Sequence, residues 1–283
     1  MKISEEIQQL IKMTLAEDIG DGDHSSLSCI PENVQGEMKL LVKADGILCG
    51  VDVAREVLRQ VDDTIQMEQY MNDEDVIHKG DIVFRLRGSA QKMLTAERTV
   101  LNFMQRMSGI ATTTHKYVEM VKDTTVTLLD TRKTTPNMRI FEKYAVKVGG
   151  AQNHRFGLFD MMMLKDNHID FAGGIEKAID AAIAYQKEKG LHLNIEVETR
   201  SLDDVRRVLA HGGVQRIMFD NFTPEQVREG VRIVNHQMET EASGGITDET
   251  LHDYAVTGVD FISIGAFTHH IASLDLSLKT VIL

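Results

Sequence analysis

The sequence predicts an α/β protein whose larger part is a parallel sheet with helical crossovers, arranged as a barrel of six or more strands. Three observations predict it. Six times in succession a short apolar run ends in a polar residue and is followed by an amphipathic stretch of helical period; parallel strands need connections of that length. The runs are nearly continuously apolar, as strands covered on both faces are. Each run also ends in a group suited to chemistry. Such groups converge from many strands only in a ring, whereas an open sheet has one switch point. The alternation alone fits both architectures, so the barrel rests on the third observation.

In chain order, MKISEEIQQLIKMTLAED places apolar and charged residues at helical spacing and lacks the unbroken apolar core of a signal peptide. The strand-like runs EMKLLVKADGILCG and DIVFRLRGSA, separated by Asp/Gly-rich turns, read as a small α+β unit reaching residue 107. From KMLTAERTVLNFMQRMSGIATTTHKYVEMV the period becomes helical, a long connector carrying Leu94, Val100, Leu101, Met104 and Met107. The six barrel runs are VTLLD, MMMLK, LNIEVE, RIMFD, METEAS and FISIG. They end at Asp130, Lys165, Glu198, Asp220, Ser243 and Gly265.

A net charge of -12 argues against a nucleic-acid partner, because phosphate backbones are held by surplus Lys and Arg. No run approaches the ~20 apolar residues of a membrane span. Cys29 and Cys49 are too few for a disulfide framework and fit a reducing, cytoplasmic compartment.

Chemistry concentrates in LLDTRKTTPNMRIFEKYAVKVGGAQNHRFGLFDMMMLKDNH. Between Asp130 and His168 the cations Arg132, Lys133, Arg139, Lys143, Lys147, Arg155 and Lys165 face only Asp130, Glu142, Asp160 and Asp166, a local excess in an acidic chain. Lys143 and Lys147, at i and i+4, read as a solvated helix face. Arg132, Lys133 and Lys165 sit at strand ends, and His154 and Arg155 follow a Gly-Gly turn, so they can share a pocket. Glu198 and Asp220 end consecutive strands; they can hold Mg²⁺ directly or through water, accept ribose hydroxyls, or pair with lysines. Ser243, Gly244 and Gly245 offer bare amides after a late strand, as phosphate loops do, and SIGAFTH adds a second glycine loop.

In TAERTVLNFMQRMSGIAT, DTRKTTPNMRIFEKYAVKVGGAQNHR, LKDNH, EVET, DNF, ASGGI and ISIGAFTH, in this order, the chain resembles the quinolinate phosphoribosyltransferase family. The resemblance implies an incomplete α/β barrel of about six strands, residues 108–269. It implies an α/β-sandwich N-terminal domain, residues 1–107, joined by 270–283. It further implies a homodimer with shared active sites, with assembly into hexamers left open. The implied reaction joins quinolinate to phosphoribosyl pyrophosphate (PRPP) with Mg²⁺ and without an organic cofactor, releasing nicotinate mononucleotide, pyrophosphate and CO2. Carried over residue by residue, Arg132, Lys133, His154, Arg155 and Lys165 would meet the quinolinate carboxylates, Thr131 would bind substrate, and Arg98 would reach into the neighbouring subunit's site. Glu198 and Asp220 would hold the ribose and Mg²⁺. Ser243, Gly244 and Gly245, with Ile264, Gly265 and Ala266, would seat the 5′-phosphate. Lys133, Lys165, Glu198 and Asp220 are the implied catalytic set. Ala151, Ala242 and Phe267 depart from the family's usual residues without removing a charged contact. Three rival readings are a molybdenum-transport-associated relative of the same fold, a Schiff-base aldolase using Lys165, and a phosphosugar-binding protein without catalysis.

Overall fold

A computed structural model describes residues 1–281; positions 282 and 283, which the sequence reading assigns to the segment 270–283, lie outside the described residues. The chain divides into two compact units. One comprises Met1–His115, Thr135–Gly150 and the segment from Phe267 on; the other comprises Lys116–Thr134 and Ala151–Ala266. Among the described residues no helix is long and apolar enough to cross a membrane.

The first unit opens with α1 (Glu5–Ile19), where Ser4 Oγ accepts the Ile7 amide and caps the helix. Ile7, Ile11 and Leu15 form its buried stripe, and Gly20 ends it at φ 55°, a conformation open to glycine. There follow α2 (His24–Cys29), β1 (Gln35–Val42), β2 (Gly46–Ile47), α3 (Val51–Val61), β3 (Gln66–Gln69), β4 (Val76–Ile77), β5 (Ile82–Ser89) and the long α4 (Ala90–Met120). β1 buries alternate residues Met38, Leu40 and Val42 and is paired antiparallel on both sides, by β5 and by the late segment Leu276–Thr280. β3 extends this sheet beyond β5, and β2 pairs with β4.

Next in the chain come β6 (Thr127–Leu129), α5 (Arg139–Val148), β7 (Met162–Leu164), α6 (Asp166–Ala172), α7 (Ile175–Lys189) and β8 (Ile195–Thr199). Then come α8 (Leu202–His211), β9 (Arg216–Asp220), α9 (Pro224–Val234), β10 (Glu239–Ser243), α10 (Leu251–Ala255), β11 (Phe261–Ser263), α11 (Ala266–His269) and β12 (Leu276–Thr280). α5 lies in the first unit, where its Phe141 ring meets Phe103 at 4.9 Å between centroids. It corrects the reading of Lys143 and Lys147 as one solvated face. Lys147 is exposed, but Lys143 is only 2% exposed. α5 buries Phe141, Glu142, Ala145, Val146 and Val148 besides, so burial spreads around the helix and the i, i+4 spacing marks no single wet stripe.

In the second unit all six strands are parallel, in the order β6-β11-β10-β9-β8-β7. That is chain order around a ring opened between β6 and β7. Gln152 adds a single parallel bridge outside β6, at Leu129. Curvature follows from contacts. His154, just past that bridge, lies 3.0 Å from Glu196 on β8 and 3.3 Å from Glu241 on β10. In a flat sheet with about 4.8 Å between strands, the β6 edge and β8 would stand some 20 Å apart. The sheet is therefore an incomplete barrel, as expected, and its strand ends meet at one mouth.

Candidate active site

Parallel pairing brings the six C-terminal strand ends to one side of the second unit. Asp130 follows β6 and is fully buried. It accepts the His154 amide at 2.8 Å and Asn153 Nδ2 at 2.7 Å, which makes it the anchor of the loop after the bridge. Thr131 Oγ1 accepts the Lys133 amide at 3.0 Å, a local turn that sets out half-buried Arg132 and exposed Lys133 in succession.

Arg155 is half-buried and donates to the Met161 carbonyl at 3.2 Å. Burial, and then the like charge of Arg132, push its guanidinium below the ordinary arginine range. Two guanidiniums kept within electrostatic reach of each other are an arrangement for holding an anion.

Lys165 follows β7 at the start of α6, with its ammonium exposed except for Glu198 Oε2 at 3.3 Å. An ammonium held by a carboxylate gives no support to an imine-forming lysine. Glu198, on β8, is 6% exposed. Asp220 ends β9 half-buried, with Oδ2 accepting Asn221 Nδ2 at 2.7 Å. Asn221 is left-handed at φ 56°, and its amide donates to the Ser243 carbonyl at 2.8 Å, joining the acidic end of β9 to the loop after β10. In that loop Gly244 and Gly245 have φ 92° and 66°, and a Cβ on Gly244 would collide with the Asn221 amide group. Gly265 and Ala266, the first residue of α11, follow β11. Ile264 differs from its expected part in phosphate binding: its amide donates to the Leu129 carbonyl at 2.9 Å, prolonging the β11–β6 ladder instead of facing a ligand. Arg98 belongs to the other unit, exposed on α4 and without an ion pair among the described residues.

His154 is the largest departure. It is 9% exposed, with Nε2 turned to the buried carboxylates of Glu196 and Glu241. Burial opposes charging the ring, but hydrogen bonding to those carboxylates outweighs it and raises the imidazole to about 9. The Arg155 amide, aimed at Nδ1 from 2.7 Å, resists the second proton. Arg216 stands beside the same two buried carboxylates. Arg216 NH1 donates to Glu241 Oε2 at 2.9 Å, and its guanidinium lies 4.0 Å over the Phe261 ring. Glu196, Arg216 and Glu241 escaped the sequence reading although a signal exists. They precede Glu198, Asp220 and Ser243 by two or four residues, and so share their face of the strands. His154, Glu196 and Glu241 have metal-ligand types within mutual reach, but the Arg216 guanidinium already takes a cation's place there.

With this geometry in view, the matches to known proteins fall on every strand end described. The family description "Quinolinate phosphoribosyl transferase, C-terminal domain" matches residues 110–279, and its N-terminal-domain counterpart matches residues 23–108. The chain belongs to the quinolinate phosphoribosyltransferase family. Among this family's members, the tobacco (Nicotiana tabacum) "Quinolinate phosphoribosyltransferase [decarboxylating] 2b, mitochondrial" is 41% identical over 97% of this chain and 82% of its own length. The "Probable nicotinate-nucleotide pyrophosphorylase [carboxylating]" of Bacillus subtilis (strain 168) is 41% identical over 98% of this chain and 94% of its own. The crystal structure of NadC from Streptococcus pyogenes superposes with a TM-score of 0.93 at 37% identity, covering 99% of each chain.

Proposed function

We propose that this chain is a decarboxylating quinolinate phosphoribosyltransferase, supplying nicotinate mononucleotide for NAD synthesis. The observation that carries the reading is the pairing of half-buried Arg132 and Arg155 in an otherwise acidic family member, with Lys165 at the end of another strand of the same barrel. PRPP brings roughly five negative charges and quinolinate two, so catalysis begins with cations that outweigh the reactants' mutual repulsion. Charge-assisted contacts of ~1.5–3 kcal/mol each let a handful do so.

Arg132, Arg155 and Lys165, with Lys133, Thr131 and His154, orient the dicarboxylate so that its ring nitrogen faces the anomeric carbon. The nitrogen forms the new C–N bond as the C–O bond to pyrophosphate breaks. Glu198 and Asp220 stabilise positive charge on the ribose in the transition state. In the resulting pyridinium, the bond to the carboxylate beside the nitrogen breaks, its electron pair stays on the ring carbon, and a solvent proton replaces CO2. Ser243, Gly244 and Gly245, with Gly265 and Ala266, seat the 5′-phosphate on backbone amides.

Two carboxylates on neighbouring strand ends suit a hard cation that keeps most of its water and phosphate ligands, so Glu198 and Asp220 would hold Mg²⁺. When bound, Mg²⁺ supplies charge neutralisation for pyrophosphate. No organic cofactor is required. The free thiols of Cys29 and Cys49 accord with a reducing, cytoplasmic setting. We further propose a homodimer in which exposed Arg98 completes the partner's site.

Incubation with quinolinate, PRPP and Mg²⁺ tests the reading. Stoichiometric CO2, pyrophosphate and nicotinate mononucleotide, dependent on both substrates, are expected; a folded protein that forms none of them refutes it.

A further inference from the structure

Three buried ionisable side chains gathered around His154, namely Glu196, Glu241 and Arg216, have no part in the reaction above. Glu196 and Glu241 are fully buried, Arg216 and His154 are each 9% exposed, and together they fill a layer beneath the strand ends. In a parallel barrel that layer is ordinarily packed with branched apolar side chains. Burying charge there costs several kcal/mol per ion before pairing returns any of it, so stability alone is a poor reason for the layer.

The segment from Asn153 to Met161 has no strand or helix of its own. Its course depends on side-chain bonds. Asp130 takes the Asn153 side chain and the His154 amide, and Asp160 takes the amides of Phe156 and Gly157 at 2.6 and 2.9 Å. The His154 ring bridges inward to Glu196 and Glu241 and outward to the Arg155 amide. Both carboxylates stand on strands whose backbones are fixed by ladders on each side. Arg216 locks the arrangement from β9. Its NH1 holds Glu241 Oε2, its Nε and NH2 hold Glu239 Oε2 at 3.0 and 2.9 Å, and Phe261 covers its plane. The rigid half of the assembly is thus the barrel, and the half that yields when the match is poor is the loop carrying Arg155.

We propose that Glu196, Glu241 and Arg216 are positioning residues: a buried brace that holds the His154 ring and, through it, sets Arg155 for the carboxylates of the pyridine substrate. The proposal rests on the function given above. It makes these residues determinants of acceptor binding rather than of PRPP binding, which draws on Glu198, Asp220 and the glycine loops.

The test compares Glu241→Gln, His154→Gln and the double variant. Glu241→Gln should raise KM for quinolinate about tenfold or more, leave KM for PRPP within about twofold, and lower kcat less than it raises that KM. If Glu241 acts through His154, the double variant loses no more than His154→Gln alone. Additive losses, or equal rises in both KM values, would overturn the brace. Glu196→Gln, which leaves the Arg216–Glu241 pair in place, carries the same comparison if Glu241→Gln does not fold. Histidine-selective ¹⁵N labelling gives a readout independent of turnover. The His154 Nε2 resonance, identified by its loss in His154→Gln, should move in Glu241→Gln, and an unmoved resonance refutes the contact. Wild-type protein without quinolinate turnover would sink the proposed activity alone, and the brace would then be judged on that resonance.

Discussion

Replacing Arg106 by leucine isolates the energetics of the loop that carries Arg132 and Lys133. Glu142, fully buried on α5, accepts three hydrogen bonds: from Arg106 Nε at 2.8 Å, from Arg106 NH2 at 2.6 Å, and from the Thr135 amide at 3.1 Å. Arg106 NH2 also donates to Thr135 Oγ1 at 2.7 Å, so the pair fixes the residue just after the cationic loop. A leucine side chain there would strip two of the three bonds and strand a carboxylate in the core. Breaking one side of a buried pair costs about 3–5 kcal/mol. The Arg106 side chain is 29% exposed, which places the expected loss near the lower end, about 3 kcal/mol. At roughly 2–4 °C per kcal/mol for a unit of this size, Tm should fall by about 10 °C. Calorimetry on wild type, Arg106→Leu and Arg106→Leu/Glu142→Leu measures it. The double variant should recover a large part of the loss, because it removes the stranded charge. A fall worth under about 1 kcal/mol, or a double variant no better than the single, would show that Glu142 is not held as described.

Other outcomes follow from the same structure. Glu198→Gln should lower turnover by at least about a hundredfold while quinolinate KM changes little, as steady-state kinetics will show, since its charge is needed in the transition state. Gly149→Ala should destabilise by about 1–3 kcal/mol in urea unfolding, because a Cβ there would lie 2.5 Å from Thr114 Cβ and 2.6 Å from the Ala111 carbonyl. His154 sits above its ordinary 6.5, at about 9, when folded. The stabilisation it gives is therefore complete below pH 6.5 and lost as pH rises toward 9. His154→Gln should lack that decline, and a wild-type stability equally flat across the window contradicts the assignment. Mixing Arg98→Ala with Lys133→Ala protein should restore part of the activity each lacks; subunits that exchange without recovery rule out a shared site.

Much of this was legible in the sequence because short strand-like runs alternate with helical stretches and each run ends in a functional residue, so Asp130, Lys165, Glu198, Asp220 and Ser243 marked strand ends. Other features were hidden for physical reasons. Glu196, Arg216 and Glu241 are charged residues at period-two positions within their strands, a pattern that an outward, solvated strand face also produces, and only ring closure turns that face inward. Lys143 looked solvated because its spacing from Lys147 says nothing of what packs on the rest of α5. The amide of Ile264 could not be assigned from sequence, since which loop residue continues a ladder depends on register, set here by β11 and β6. Barrel and open sheet were likewise indistinguishable by period. The reach of His154 to both β8 and β10 separates them.

The strand order also bears on how the chain acquires its structure during synthesis. β6, the first barrel strand made, has β11, the last, as its strand partner, and β1 awaits β12 on one side. Neither sheet can complete its hydrogen bonding until these two late strands are available. A nascent chain must carry two unfinished sheet edges until β11 and β12 have been made, exposed to pairing with other chains. Completion of both sheets thereby waits on these two strands, and loss of β12 alone should leave β1 a bare edge and favour aggregation over simple loss of activity.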